Sequence, residues 1–334
     1  MQDLSYSFII PVYNRPDEIK ELLDSFVAQH TTLPFEIVII EDGSSLPSDT
    51  VIAAYTDRLQ ITYLSKPNSG PGASRNYGMA RAAGNYFIIL DSDCILPPEY
   101  VRLMDKALQA DYVDCFGGPD AAHASFSTLQ KAINYSMTSF LTTGGIRGGK
   151  KQVNAFQPRS FNMGLSKKAF EETGGFGKIH PGEDPDLVLR LWKKGFKTRL
   201  LSDAYVYHKR RISWSKFYTQ VNKFGMVRPI LNVWHPGSAK VTYWFPTVFL
   251  IGVLFSLLMA MLGWYVFLYM VIGYFLLIGM HATITTKSIS IGVMAVIATV
   301  IQFYGYGIGF LKSTAAIRWF GKKPQQRFPH LFFK

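Results

Sequence analysis

Acidic residues are absent from the last part of this 334-residue chain. All 23 Asp and Glu lie at or before Asp203, whereas the segment from Ala204 to the last residue carries 14 Lys and Arg. Residues 1–203 therefore hold 21 basic against 23 acidic side chains, and the net charge of +12 comes from the later segment. A basic segment can bind nucleic acid, but long apolar runs interrupt this one. We therefore expect an anionic membrane surface as its partner, and no nucleic acid.

Cysteine is almost as scarce. Cys94 and Cys115 form neither a CxxC pair nor the Cys and His spacing of a zinc site. Two cysteines cannot supply a disulfide framework, so we expect reduced thiols in a reducing compartment. The chain begins with an acid and passes directly into a predicted strand, so we also expect no signal peptide.

Charge is missing altogether from residues 241–286, which contain no Asp, Glu, Lys or Arg. A helix needs about 20 apolar residues to cross a bilayer. This run therefore predicts two membrane helices, near 244–262 and 265–282. A third is predicted at 289–311, and a basic tail follows at 312–334.

Three crossings conflict with the distribution of basic residues. Lys and Arg flank the apolar helices on both sides, and basic flanks favour the cytoplasmic side of a membrane. Three crossings would place the two flanks on opposite sides. Either the third helix is re-entrant or interfacial, or the positive-inside rule fails here. We expect three membrane-embedded helices and leave the side of the tail open.

A segment at 212–240 precedes these helices and has its own periodicity. Trp214, Phe217, Val221 and Phe224 recur at intervals of three or four residues. This spacing predicts an amphipathic helix lying at the membrane interface, where aromatic and basic residues gather.

Residues 1–211 show a different pattern, in which apolar strands alternate with helical periodicity. The first four predicted strands are Tyr6–Pro11, Phe35–Ile40, Leu59–Leu64 and Tyr86–Leu90. Alternation of this kind predicts an α/β domain with a mostly parallel, right-handed, doubly wound sheet. We therefore expect one α/β domain followed by C-terminal transmembrane helices.

Polar residues follow three of these strands. Asn14, Asp42 and the pair Asp91 and Asp93 would meet at the carboxyl edge of the sheet, where ligands bind in open α/β folds. An Asp-x-Asp pair offers oxygen ligands to Mg²⁺ or Mn²⁺. The alternatives are a solvated turn with a helix-capping Asp at 91–93, and a tight turn after Asp42.

A third acidic cluster, Gly182-Glu183-Asp184-Pro185-Asp186, opens a predicted helix. Acids at a helix N-terminus complement the helix dipole, which is sufficient to explain one of them. Three acids around a proline exceed that requirement and indicate a site.

Four motifs together carry a family resemblance: FIIPVYNR, EDGSS, GASRNYGMARAAGNYFIILDSD and GEDPDLVLRLWKKGF. In content, order and spacing they resemble family 2 glycosyltransferases across residues 6–225. Glu41 departs from the family, which usually has Asp there. The resemblance implies a GT-A nucleotide-diphospho-sugar transferase fold, a nucleotide-sugar donor (a UDP-sugar favoured), a divalent metal (Mg²⁺ or Mn²⁺) and inversion at the anomeric carbon.

The resemblance also implies residues for the donor. Asp42, with Pro11 and Tyr13 beside it, would hold the base and ribose. Arg75 would contact the nucleotide or its phosphates, and Asn162 is a further candidate for binding substrate.

The remaining implied roles concern the metal and the proton transfer. Asp93, helped by Asp91, would bind the metal. His208 either completes the metal or diphosphate site or is structural. Asp184 matches the catalytic base, and Glu183 is the neighbour most easily confused with it.

Together these expectations predict a membrane-anchored glycosyltransferase. It would be a multi-pass protein of the cytoplasmic (inner) membrane, with its catalytic domain in the cytoplasm. Its acceptor would be lipid-linked or another membrane-associated glycan, in cell-envelope polysaccharide or glycolipid synthesis. The basic, glycine-rich stretch 142–151 is either a surface loop or a lid over the diphosphate. The alternatives are a polyprenyl-phosphate sugar synthase and a catalytically degenerate nucleotide-sugar fold acting as a membrane scaffold.

Overall fold

The computed structural model describes residues 3–121, 126–144, 156–209 and 213–333. These residues form two compact units. The first, which we call the sheet unit, comprises Met1–His123, Lys150–Lys209 and Phe332–Lys334. The second, the helical unit, comprises Ala124–Gly149 and Arg210–Leu331.

The sheet unit is built on a seven-stranded sheet. Its strands, in the order they pair, are β3 (Ile61–Lys66), β2 (Phe35–Asp42), β1 (Tyr6–Val12), β4 (Tyr86–Leu90), β8 (Asn162–Ser166), β6 (Cys115–Gly117) and β9 (Thr198–Leu200). All neighbours run parallel except at β8, which is antiparallel to both β4 and β6. The predicted mostly parallel α/β sheet is confirmed.

Helices cover both faces of this sheet. They are α1 (Pro16–Val27), α2 (Asp49–Ala53), α3 (Pro71–Met79), α4 (Tyr100–Ala110), α7 (Lys167–Thr173) and α8 (Glu183–Lys193). Successive residues of β1 lie on opposite faces of the sheet and belong to two separate hydrophobic clusters. Phe8 packs with Phe26 of α1, whereas Ile9 packs with Met79 of α3. Because β4 is buried on both faces, all five of its residues are apolar and fully buried.

A second, three-stranded sheet decides where the polar residues meet. It pairs β10 (Val206–His208) with β5 (Cys94–Ile95) and β7 (Asp120–Ala121). In this pairing His208 lies opposite Cys94. This register therefore places His208 directly beside the acidic turn that follows β4.

The helical unit contains α5 (Thr128–Thr138), α6 (Phe140–Thr143), α9 (Trp214–Trp234), α10 (Phe245–Met261), α11 (Val266–Thr286), α12 (Ile289–Thr314) and α13 (Pro324–Arg327). Three stretches, Val241–Met261, Val266–Thr286 and Ile289–Trp319, are long and apolar enough to cross a membrane. They match the three helices predicted from the sequence.

The helix α9 lies within the predicted segment 212–240 but differs from its prediction in what covers its apolar face. Its residues Phe217 and Val221 are buried against Ala298 of α12 and against α5. A Cβ on Gly309 would lie 2.3 Å from a backbone oxygen of α9, so glycine in α12 permits this close approach. The face predicted to lie on lipid is therefore covered by protein.

Candidate active site

The turn after β4 carries both predicted metal ligands and meets β10. Asp93 Oδ1 lies 3.1 Å from His208 Nε2, and Asp91 Oδ2 lies 4.0 Å from the same nitrogen. The ring of Phe161 stacks on the His208 imidazole at 4.8 Å between ring centres, which fixes its orientation. The structure thus brings together Asp91, Asp93 and His208.

These three side chains suit a divalent metal. Two carboxylates and an imidazole provide oxygen and nitrogen donors of the kind that Mg²⁺ and Mn²⁺ take. Cys94 lies within 4.8 Å of the Asp93 and His208 donor atoms. However, burial raises the pKa of its thiol, which donates to the Phe161 carbonyl at 3.3 Å, so Cys94 stays protonated and is a poor ligand.

Arg75 on α3 connects this turn to the acidic cluster of α8. Its guanidinium is buried, and it donates from Nη2 to Asp91 Oδ1 at 2.7 Å and from Nη1 to Glu183 Oε1 at 3.2 Å. Its Nε has no hydrogen-bond partner among the described residues. Arg75 therefore bridges two carboxylates, and its predicted contact with a nucleotide stays a prediction.

Glu183 and Asp184 are adjacent in sequence but differ in environment. Glu183 Oε1 is 2.9 Å from His180 Nδ1 and also contacts Arg75. Burial raises the pKa of Glu183, but His180 and Arg75 outweigh it and lower that pKa to about 2. Glu183 is therefore an ionised carboxylate held between the His180 ring and the Arg75 guanidinium.

Asp184 is stabilised less as an anion: the charges of Arg75 and Arg159 lower its pKa, but they do not outweigh its burial and the charge of Glu183. Its Oδ1 is buried and has no hydrogen-bond partner among the residues that the structure describes. Burial, followed by the charge of Glu183, raises the pKa of Asp184 above its ordinary value. A carboxyl group with a raised pKa and an unused oxygen, on a residue that is partly exposed, is suited to accept a proton.

Asp42 lies at the end of β2 and is almost fully buried. It accepts hydrogen bonds from the backbone N–H of Ser69 and of Gly70, both at 2.9 Å, and pairs with Lys66. Its neighbour Glu41 accepts from the Ser48 N–H, from the Ser44 hydroxyl in the loop after β2, and from the Tyr63 hydroxyl of β3. The observed role of Asp42 is to hold the turn before α3, and its predicted contact with a nucleoside stays a prediction.

Pro11 and Tyr13 lie at the carboxyl end of β1. Pro11 is partly buried, and the Tyr13 side chain is 52% exposed, so it is open to a ligand. The next residue, Asn14, adopts a left-handed backbone conformation, and its side-chain oxygen accepts from the Leu46 N–H at 2.9 Å. This contact joins the loops that follow β1 and β2.

Both ends of the Asn162 amide have partners within the protein, and its predicted contact with substrate stays a prediction. The residue is fully buried in β8; its amide oxygen accepts from Tyr100 Oη at 2.6 Å, and its amide nitrogen donates to the Ala204 carbonyl at 2.8 Å. Both ends of the amide bond to the protein interior, so Asn162 joins β8 to α4 and to the segment before β10.

We expect Asn162→Ala to reduce stability and not catalysis. It would leave the Tyr100 hydroxyl and the Ala204 carbonyl buried and unpaired, at a cost of about 1–3 kcal/mol for each group. A fall of several degrees in the thermal unfolding midpoint, with kcat retained at low temperature, is the expected result. Tyr100→Phe removes only the donor and serves as the milder comparison. Loss of kcat without a change in unfolding would support the predicted contact of Asn162 with substrate.

Three neighbours of the site were not singled out from the sequence. Arg15 Nη1 lies 3.6 Å from Asp93 Oδ2, and His180 contacts Glu183. Arg15 directly follows Asn14, and His180 precedes Glu183 by three residues, so proximity in sequence to predicted site residues could have identified both. Phe333 is the third, and no local signal connects it to the site. Of the predicted lid, residues 145–151 lie outside the described residues.

Phe333 packs against both halves of the site within the sheet unit. Its N–H donates to the Lys178 carbonyl at 3.0 Å, and its ring lies 5.7 Å from the His180 ring. The ring also fills the space above Gly70, where a Cβ would come within 2.3 Å of it. Phe333 therefore supports the turn held by Asp42 and the loop that leads to Glu183.

We expect Phe333→Ala to lower kcat/KM about two- to tenfold, because losing an aromatic contact costs about 0.5–1.5 kcal/mol and would loosen both segments. Steady-state kinetics measure the effect, and Phe333→Tyr should rescue it by keeping the ring. Phe320→Ala is the matched control, since Phe320 is an exposed aromatic residue of the same tail. Equal effects of the two alanine variants would contradict this role.

Comparison with known proteins agrees with this geometry. The chain matches Glycosyl transferase family 2 over residues 7–174. It is 36% identical over 109 residues to an uncharacterized glycosyltransferase of Rickettsia felis, covering 33% of this chain and 18% of that protein. Over 235 residues it is 25% identical to chondroitin synthase of Escherichia coli, covering 61% of this chain and 34% of that protein. It thus spans only about a fifth to a third of these curated relatives.

Among solved structures, a mannosyltransferase from Pyrobaculum calidifontis in complex with GDP-Man and Mn²⁺ aligns with a TM-score of 0.58. The alignment covers 97% of this chain and 89% of that one at 14% identity, so it shows a shared fold. With the family match covering half of the sequence and the acidic clusters of β4 and α8 joined by Arg75, the chain belongs to glycosyltransferase family 2.

Proposed function

We propose that this protein is an inverting glycosyltransferase that moves a sugar from a nucleoside-diphosphate donor to a membrane-associated acceptor. The observation that supports it best is the bridge formed by Arg75, which bonds to Asp91 at 2.7 Å and to Glu183 at 3.2 Å. One buried guanidinium thereby joins the candidate metal ligand Asp91 to Glu183, the residue next to the candidate base Asp184. Positioning of reacting groups is a large part of what such an enzyme must supply.

At one end of this bridge, Asp91, Asp93 and His208 would hold Mg²⁺ or Mn²⁺. The bound ion would neutralise charge on the diphosphate leaving group. Arg15, 3.6 Å from Asp93, adds a cationic group at the same turn. Tyr13 and the turn held by Asp42 would contact the nucleoside, for which a UDP-sugar is the favoured donor.

At the other end, Asp184 would accept the proton of the acceptor hydroxyl. The acceptor oxygen forms a new bond to the anomeric carbon from the face opposite the diphosphate, whose bond to that carbon breaks with its electron pair. A single displacement inverts the configuration and needs no covalent intermediate. Glu183 would not compete for the proton, because His180 and Arg75 keep it ionised.

The state of Asp184 also bears on the acceptor. A phosphate acceptor, as in a polyprenyl-phosphate sugar synthase, is already ionised at neutral pH and gains little from a base. A hydroxyl acceptor needs one, so the raised pKa of Asp184 favours a hydroxyl of a lipid-linked or membrane-associated glycan. The three apolar stretches support an enzyme of the cytoplasmic membrane with its sheet unit in the cytoplasm, acting in envelope polysaccharide or glycolipid synthesis.

A panel of UDP- and GDP-sugars tests the proposal on the full chain in lipid nanodiscs. Release of the nucleotide is measured with and without Mn²⁺ and with a lipid-linked glycan, and the anomer of the product is determined by NMR. We expect release from one class of donor that requires the metal and rises with acceptor. No release from any donor would favour the degenerate scaffold, and a retained anomer would exclude the single displacement.

A further inference from the structure

The helices α10 and α11 form an antiparallel hairpin inside the helical unit. Phe255 contacts Phe267 at 5.2 Å between ring centres near the turn, and Phe249 contacts Phe275 at 5.8 Å farther from it. The 21 residues of α11 are about 31 Å long, close to the roughly 30 Å of a bilayer core. The start of α10 and the end of α11 therefore lie at one end of the hairpin, which we call the open end, opposite the turn at 262–265.

The first half of α12 lies against the end of α11. A Cβ on Gly292 would lie 2.0 Å from Thr283 Oγ1, so the two helices touch closely at the open end. One helical turn on, Ala295 is buried in a cluster with Ile278 and Ala282. The first half of α12 thus contacts the last three turns of α11.

The second half of α12 lies against the start of α10. Thr247 Oγ1 donates to the Gly307 carbonyl at 3.0 Å, and the Phe310 ring lies 4.9 Å from that of Trp244. Both halves of α12 therefore contact the open end of the hairpin. A helix of 26 residues is about 39 Å long, and a third crossing would carry its last turns to the hairpin turn instead.

The region near the hairpin turn is instead exposed. Met261, Tyr269 and Met270 are 84%, 65% and 68% exposed, as expected for side chains that face lipid on every side. In α12, by contrast, 12 of the 26 residues are buried within the protein, against two in each of α10 and α11. The environment of α12 therefore differs from that of the hairpin.

The exposed apolar residues of α12 form a single stripe. Its members recur every three or four residues along the whole helix: Ile289, Val293, Ile297, Val300, Tyr304 and Ile308. The opposite side packs on α5 and α9, and exposed lysines, Lys287 and Lys312, lie at the two ends. An apolar stripe between covered faces and terminal basic residues is typical of a helix in the membrane interface.

We propose that, among the described residues, α10 and α11 alone cross the membrane and that α12 lies across their open end, with its stripe in one leaflet. The occupant of the stripe is lipid of the leaflet from which the hairpin inserts. Residues 241–286 then contain both crossings and the uncharged turn. Lys240, Lys287, Lys312 and the described basic residues from Arg318 to Arg327 all lie on one side, which satisfies the positive-inside rule and makes that side cytoplasmic.

The sheet unit supplies an independent argument. The chain leaves this unit after Lys209 and returns to it with Phe332 and Phe333, which pair with Ile179 and Lys178 inside it. A chain that returns to the unit it left must cross the membrane an even number of times in between. Two crossings meet this condition and three do not. With two crossings the basic residues before and after the apolar helices lie on the same side, so the positive-inside rule holds without exception.

Substituted-cysteine labelling of the full chain in intact spheroplasts tests the topology, and it does so whether or not the proposed reaction is correct. Lys287→Cys and Lys322→Cys flank α12, and Leu262→Cys marks the hairpin turn. With a membrane-impermeant maleimide, we expect labelling of Leu262→Cys in intact spheroplasts and of the other two only after lysis. The parent chain is the control, because Cys94 and Cys115 are buried. Labelling at positions 287 and 322 from opposite sides would overturn the proposal.

Nitroxide depth measurements test the placement of α12 itself. Val293 and Ile308 are 15 residues apart, about 22 Å along the helix, so a crossing helix would place them at very different depths. We expect spin labels at Val293→Cys, Val300→Cys and Ile308→Cys to show similar, shallow accessibility to oxygen, and one at Leu258→Cys in α10 to lie deeper. A depth profile that peaks at Val300 and matches Leu258 would contradict the interfacial placement.

Discussion

Asp93→Ala is expected to lower kcat by about a thousandfold and to abolish Mn²⁺ binding. Asp93 lies 3.1 Å from His208 and provides the central carboxylate of the candidate metal site. A metal that stabilises the leaving group contributes several kcal/mol, and about 1.4 kcal/mol corresponds to a factor of ten in rate. Steady-state turnover and Mn²⁺ paramagnetic resonance measure the two effects on the same protein.

The matched control is Asp57→Ala, which removes a highly exposed carboxylate elsewhere in the sheet unit. It should leave turnover and Mn²⁺ binding unchanged. His208→Ala should reproduce much of the Asp93 defect, because the two side chains meet at one site. Turnover that survives both EDTA and Asp93→Ala would show that the metal assignment is wrong.

Asp184→Asn is expected to lower kcat by about 10²–10⁴-fold, the usual contribution of a general base, with donor affinity retained. Asparagine keeps the shape of the side chain but cannot accept the proton. Single-turnover rates together with donor titration separate the chemical step from binding. A severe effect of Glu183→Gln combined with a mild effect of Asp184→Asn would exchange the two roles.

The pH profile adds a second test of the same pair. Asp184 must be deprotonated to act, so activity should rise with pH through its pKa, which burial and the charge of Glu183 hold above the ordinary value. Glu183→Gln removes that negative charge and stabilises the Asp184 carboxylate. We therefore expect the acid limb of kcat/KM to move to lower pH in Glu183→Gln. A shift to higher pH would contradict the coupling.

Local chemistry in the sequence was enough to determine the sheet and its acidic edge. Tyr86–Leu90 is apolar throughout because β4 is covered on both faces, and two carboxylates follow it at once. The helix α7 begins and ends where Ser166 caps it and Gly174 adopts a positive φ. Such signals extend over a few residues, so they can be read without knowing what packs against them.

The assembly of the site depended on the tertiary structure. Arg75 meets residues 16 and 108 positions away, and His208 reaches Asp93 only through the register of β10 on β5. Asn162 shows the same dependence on distant residues, because its side-chain amide is hydrogen-bonded to Tyr100 and to the Ala204 carbonyl. No local pattern specifies which distant backbone will supply a partner.

The membrane segment shows the same division. Periodicity in the sequence identified the apolar face of α9, since a covered face recurs every three to four residues whatever covers it. It did not distinguish lipid from protein: Phe217 and Val221 are covered by α5 and α12, whereas Val293 and Val300 face outward. Its length and hydropathy predicted α12 as a third crossing. Its contacts with Thr283 and Thr247 place both halves of α12 at one end of the hairpin, and these contacts are known only from the tertiary structure. Hydropathy sums over a segment, whereas the path of a helix is decided by which neighbours its glycines allow it to approach.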